Sequence, residues 1–144
     1  PEELYLRPAT RFVAGFIGSP GMNFFAAGIV AEGDALYVTL PDGQKLPVPA
    51  ARAGLFRQNI GKPVVLGIRP EHFSMDDGPA TLDITTGLVE PLGMETLVHF
   101  KLAGESSVAR LLPRSSLKGN VGLTLSVDMD RVHLLDSQTD MVLG

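Results

Sequence analysis

Along most of the chain, apolar and polar residues alternate with a period of two. Leu36, Val38 and Leu40 alternate with Tyr37 and Thr39, and Pro41-Asp42-Gly43 follows as a turn. Val64, Leu66 and Ile68 alternate with Val65, Gly67 and Arg69, and Leu82 and Ile84 with Asp83 and Thr85. Thr96, Val98 and Phe100 oppose Leu97, His99 and Lys101, and Val108 to Leu112 is a further short run. Val121, Leu123, Leu125 and Val127 alternate with Gly122, Thr124, Ser126 and Asp128. Val132 and Leu134 return beyond Asp128-Met129-Asp130, which reads as a hairpin turn. The spacing predicts roughly seven to nine short strands, and so an all-β barrel or sandwich rather than a parallel α/β sheet.

Helical periodicity is confined to the start of the chain. Pro1-Glu2-Glu3 read as the first three positions of a helix, with a pre-set φ and carboxylates facing the helix dipole. No N-cap residue precedes them, so the expectation is a piece of a longer protein. Pro8 ends a short first segment holding Leu4 and Tyr5. Phe12, Val13, Phe16 and Ile17 then fall at helical spacing, with Gly18 as C-cap and Pro20 as stop. Ala50–Asn59 reads as a short surface helix. One internal echo is present: Gly61-Lys62-Pro63-Val64-Val65-Leu66 and Gly119-Asn120-Val121-Gly122-Leu123 each place a glycine before an alternating strand. It suggests two related barrel-like halves.

Composition sharpens this picture. Gly and Pro together make 27 of the 144 residues, which favours turns. The formal charge is −4 and there is no Trp, which argues against a nucleic-acid groove lined by cations and stacking rings. With no Cys, a disulfide framework, a thiol nucleophile and a thiolate metal site are excluded.

Several chemistries have no signature. The phosphate-cradling G-x-x-x-x-G-K-[ST] and the G-x-G-x-x-G fingerprint do not occur, and no G-x-S-x-G elbow appears. His72, His99 and His133 lack metal-ligand spacing and read as surface or half-buried residues. The methionines are scattered and read as gap-fillers. Catalytic, cofactor and metal residues are therefore expected to be absent from this stretch.

Three clusters rise above generic β sequence. The first runs from Phe12 to Phe24, with Gly18, Pro20 and Asn23 inside it. The second is Leu66-Gly67-Ile68-Arg69-Pro70-Glu71-His72. The third is Val89-Glu90-Pro91-Leu92-Gly93-Met94-Glu95-Thr96, followed by Asp130-Arg131-Val132-His133-Leu134-Leu135-Asp136. In this order they resemble the C-terminal part of the ATPase subunits of maltose-type ABC importers, which serve sugar and glycerol-phosphate uptake. The resemblance runs from Pro1 to about Asp136. Phe73, Leu135 and Met94 stand where the family often has Leu, Phe and Asn.

The resemblance implies a TOBE-type regulatory domain of small OB-like β-barrels over residues 21–144, joined through residues 1–20 to the end of an ATPase domain. ATP and Mg would then belong to the parent protein upstream. It also implies a homodimer through this domain, membrane-spanning permease subunits as partners of the ATPase part, and a cytoplasmic regulator protein. The location would be peripheral, on the cytoplasmic side of a bacterial inner membrane. Arg11 and Phe24, near the junction, are candidate partner contacts. The alternative is a free-standing oxyanion-binding module, since related TOBE domains bind molybdate or tungstate.

The motif residues also have local readings. Arg69 and Glu71 flank Pro70 and would project to one side if the strand continued, as an ion-pair network or a solvated pair. Pro70 removes a ladder donor and requires an edge or a strand end. Glu90 and Glu95 bracket a bend at Pro91–Gly93, better read as a turn than as an acid–base pair. Gly18, Pro20, Asn23, His133 and Asp136 complete the set of structural or interface candidates.

Overall fold

The computed structural model describes residues 21–113 and 117–144. The expected helical segments within 1–17, and with them Arg11, Gly18 and Pro20, lie outside the described residues. Ten strands are described: β1 (Asn23–Glu32), β2 (Ala35–Thr39), β3 (Lys45–Pro47), β4 (Val64–Ile68), β5 (Phe73–Ser74), β6 (Thr81–Pro91), β7 (Thr96–Leu102), β8 (Glu105–Leu111), β9 (Gly122–Val127) and β10 (His133–Asp136). A 3-10 turn, Ala50–Arg52, leads into the short helix α1 (Ala53–Arg57), which buries Phe56 where the surface helix was expected. The strands form two antiparallel five-stranded sheets, in the orders β10-β4-β1-β2-β3 and β5-β9-β6-β7-β8.

Each sheet coils around one long strand that serves two partners. In β1, Asn23–Ala27 pair with β4 while Gly28–Glu32 pair with β2. In β6, Thr81–Thr85 pair with β9 and Thr86–Pro91 with β7, with a bulge between Thr86 and Val89. A glycine marks each change of partner. A Cβ on Gly87 would lie 3.2 Å from the His99 carbonyl oxygen, so the bend brings backbones together there. The ends of the second sheet, β5 and β8, lie against each other, so that sheet curls toward a barrel.

The two sheet orders are the same when β10, β4, β1, β2 and β3 are matched with β5, β9, β6, β7 and β8. The glycine echo falls on the equivalent strands β4 and β9. The fifth strands are exchanged: after β4 the chain crosses to add β5 to the second sheet, and after β9 it returns to add β10 to the first. Asp128–Asp130 therefore turns between sheets rather than within a hairpin. Its geometry is local: the Asp130 amide donates to Asp128 Oδ1 and the Arg131 amide to the Asp128 carbonyl.

One continuous apolar core runs through both sheets, from Phe25, Ile29 and Leu66 to Phe73, Phe100 and Leu125. Phe73 and Phe100 meet edge to face, with centroids 5.8 Å apart and rings at 88°. Met22 and Met129 fill this core, but Met94 and Met141 are exposed, so the gap-filler reading fails for those two.

Candidate functional site

Several of the motif residues, Asn23, Arg69, Glu71, His72, Glu95 and His133 among them, gather at the crossover between the sheets and at the seam where β5 meets β8. At the crossover, Pro70 sits at the start of a 3-10 turn, Pro70–His72, and β4 stops at Ile68. The strand does not continue, so Arg69 and Glu71 do not share a strand face. Nor is Arg69 solvated, being only 3% exposed. Burial, reinforced by the positive charges of Arg69 and Arg52, pushes the His133 imidazole down to about 4. Burial also lowers His72, against the opposing pull of Glu71 and Asp128. Both rings carry a buried Nδ1 without a hydrogen-bond partner among the described residues. The two crossovers touch, since the Asp128 amide donates to the His72 carbonyl at 2.9 Å.

Across the first sheet, Phe24 and His133 both stand opposite Gly67, one on each neighbouring strand. A Cβ on Gly67 would lie 2.5 Å from Met22 Sδ, so the methionine fills the space that glycine leaves. Asn23, 6% exposed, ties β1 to both sheets. Its Nδ2 donates to the Ile68 and Val108 carbonyls, each at 2.9 Å, and its Oδ1 accepts from the Val108 amide at 2.8 Å. An amide is the one neutral side chain that both donates and accepts in this way, so the side chain completes the outer edge of β8.

At the seam, a cleft of about 370 Å³ is bordered by Phe73–Asp76 on one side and Arg110–Leu112 on the other. Arg110 Nε lies 2.9 Å from Glu95 Oε2, and its Nη1 is 3.9 Å from Glu71 Oε1. Glu95 follows the turn at Gly93, whose φ of +83° explains the glycine. Glu90 is engaged elsewhere, with its Oε1 2.5 Å from His99 Nε2. Glu90 and Glu95 thus pair with different side chains, His99 and Arg110, and not with each other. Asp136 Oδ1 accepts from the Thr139 and Gln138 amides, which hold its carboxyl below the usual value and cap the last turn.

Two residues outside the motif clusters complete the arrangement. Arg110 is a single charge within the apolar run at 108–112, and that isolation was its only trace in the sequence. Arg52 Nη1 donates to the carbonyls of Val132 at 2.6 Å and Met129 at 3.2 Å, pinning α1 to the returning crossover. Among the described residues, no group of three His, Cys, Asp or Glu is placed to hold a metal ion, and no helix is long and apolar enough to cross a membrane. Asn23, Arg52, Glu90, Glu95 and Asp136 thus pair with other side chains or with backbone.

Comparison with known proteins agrees with this architecture. Residues 18–73 match the family described as MalK OB fold domain, and residues 66–135 match the TOBE domain. The matches overlap at the first crossover. The chain is 41% identical over 141 residues to the sulfoquinovosyl glycerol transport ATP-binding protein SmoE of Agrobacterium fabrum, covering 97% of this chain and 38% of that protein. It is 40% identical over 140 residues to the sn-glycerol-3-phosphate import ATP-binding protein UgpC of Chromobacterium violaceum, covering 96% and 36%. The chain therefore spans less than two-fifths of the length of these relatives. Among solved structures, the cytoplasmic molybdate-binding protein ModG, with molybdate bound, has the same fold at a TM-score of 0.60 and 19% identity, over 78% of this chain and 94% of that one.

Proposed function

Because the chain belongs to the MalK OB fold and TOBE domain families, we propose that it is the C-terminal regulatory and dimerisation part of the ATP-binding subunit of an ABC importer for sugars or glycerol phosphates. The observation that carries this reading is collinearity: two family matches in order over residues 18–135, with relatives named for import at about 40% identity over nearly the whole chain. Like those relatives, the parent would work with membrane-spanning permease subunits and sit peripherally on the cytoplasmic side of the membrane. No phosphate-cradling motif occurs in these residues, so ATP and Mg would be held by the upstream part.

On this reading the domain contributes by shape rather than by chemistry. A rigid β module offers a surface to the same module of a second copy, keeping two ATPase parts together as they open and close. A protein that binds one state of that pair more tightly than the other shifts the cycle by the difference in affinity.

The test is a chimera in which this chain replaces the corresponding C-terminal part of a glycerol-phosphate importer subunit, expressed in a strain lacking that subunit. Uptake of labelled glycerol 3-phosphate and a dimeric mass for the chimera are expected. A chimera that folds and binds nucleotide yet neither dimerises nor restores uptake would refute the proposal. The free-standing oxyanion module draws only on the fold shared with ModG, and the seam, lined among the described residues by three carboxylates against one guanidinium, opposes an anion. Calorimetric titration with molybdate, giving no heat at micromolar ligand, would set it aside.

A further inference from the structure

We infer that the seam between β5 and β8 docks a basic, apolar segment of a partner protein. The inference rests on the reading that a protein regulator acts on this domain, and it gives that regulator a place and a chemistry. At the mouth of the cleft, Met94 and Leu112 are 88% and 80% exposed, while Phe73 and Leu111 behind them are buried. Two large apolar side chains held in water beside a preformed cleft mark an interaction surface, and methionine adapts readily to a partner's shape.

Charge decides the occupant. Among the described residues, Glu71, Glu95 and Asp76 border the cleft and Arg110 is its single cation, already placed between Glu71 and Glu95. The adjoining groove adds Asp77 and Asp128, the latter 3.6 Å from Arg131, with His72 lowered by burial. The surface therefore carries a surplus of negative charge around an apolar centre. A second copy docking here about a two-fold axis would set this net-negative surface against itself, which disfavours the seam as a homodimer contact. A small ligand seated in the cleft would leave Met94 and Leu112 in water. A segment with lysine or arginine beside apolar residues covers both and meets the carboxylates. The loop supporting the acidic side is fixed, because Ser126 Oγ donates to the Asp76 carbonyl and the Asp76 amide donates to Ser74 Oγ.

The experiment pans a random 12-residue peptide library against the full-length protein, with counter-selection on a Met94→Asp/Leu112→Asp variant. Both substitutions are at exposed positions, and unchanged thermal unfolding of the variant confirms that it folds. Enriched peptides are expected to combine lysine or arginine with apolar residues. They should bind the wild type at least tenfold more tightly than the variant and weaken with added salt. The inference is overturned if no peptide distinguishes the two proteins, or if the enriched peptides are acidic. It is also overturned if the variant alone loses its dimeric mass, which makes the seam the self-interface. A variant that unfolds at lower temperature than wild type overturns it too, because the protein's own chain then covers the seam. Failure of the importer reading appears instead in the uptake assay and leaves the peptide result standing.

Discussion

Asn23→Ala should be among the most damaging single substitutions in this domain. The side chain makes three buried hydrogen bonds of 2.8–2.9 Å, two of them to the amide and carbonyl of Val108 on the outer edge of β8. Alanine leaves both Val108 groups unpaired and the Ile68 carbonyl with one partner fewer. An unpaired buried polar group costs about 1–3 kcal/mol, so the loss should total about 3 kcal/mol once some water enters the gap. That is a large share of the 5–15 kcal/mol typical of a whole domain, and at this size it lowers Tm by about 9 °C. Asn23→Asp should be worse, because it turns a donor into a carboxylate oxygen facing two carbonyls. Denaturant unfolding measures both, with Cm expected to fall and m to stay constant. Thr39→Val is the control: its hydroxyl makes one 3.3 Å bond, to the Gly28 carbonyl, and should cost less than about 1 kcal/mol. If Asn23→Ala costs no more than the control, the argument that Asn23 bolts the two sheets together is wrong.

Further outcomes follow from the same geometry. His133 titrates near 6.5 when unfolded and about 4 when folded, so its neutral form stabilises the fold above pH 6.5 and that stability drains away as pH falls toward 4. Allowing for partial solvent screening, the wild type should lose about 1–2 kcal/mol between pH 7 and pH 5 from this group, and His133→Asn should lose correspondingly less; equal losses would remove His133 as the cause. Arg52→Met keeps most of the packing but leaves the Met129 and Val132 carbonyls short of a donor, which should cost about 1–3 kcal/mol in chemical unfolding. Gly119→Ala places a Cβ 2.8 Å from the Gly87 carbonyl oxygen and should cost about 1–3 kcal/mol, whereas Gly33→Ala, with open space but a φ of +61°, should cost about 1 kcal/mol; thermal unfolding of the pair tests that order.

What the sequence disclosed depended on how far burial alternates. In β9 and at the centre of β7 the period of two was plain, because one face meets the core and the other meets solvent. In β1 it was hidden: Phe24 and Phe25 are adjacent, Ala26 and Ala27 are too small to signal a face, and the strand changes partner midway. β3 and β5 have three and two residues, too few to show any period. The bend at Gly93 and the strand end at Pro70 were legible because glycine and proline act on the backbone itself. The burial of Arg69 was not, since charge alone predicts exposure and only the packed crossover reverses it.

The exchange of fifth strands explains why the candidate residues lie so far apart in the chain. Residues up to Ile68 supply four strands of the first sheet, and its fifth arrives only at His133. Each half is thus incomplete in its own stretch of sequence, and the two crossovers have to pass each other where the chain trades sides. That passage brings Arg69 and His72 next to Asp128 and His133, and it sets Glu71 against Arg110 on β8. Clusters near residues 70 and 133 are separate motifs in the sequence, yet one topological event gathers them, and Glu95 of the third joins them at the seam through Arg110. A surface assembled in this way is held from both halves, so a partner bound at the seam touches residues whose placement depends on the whole domain being closed.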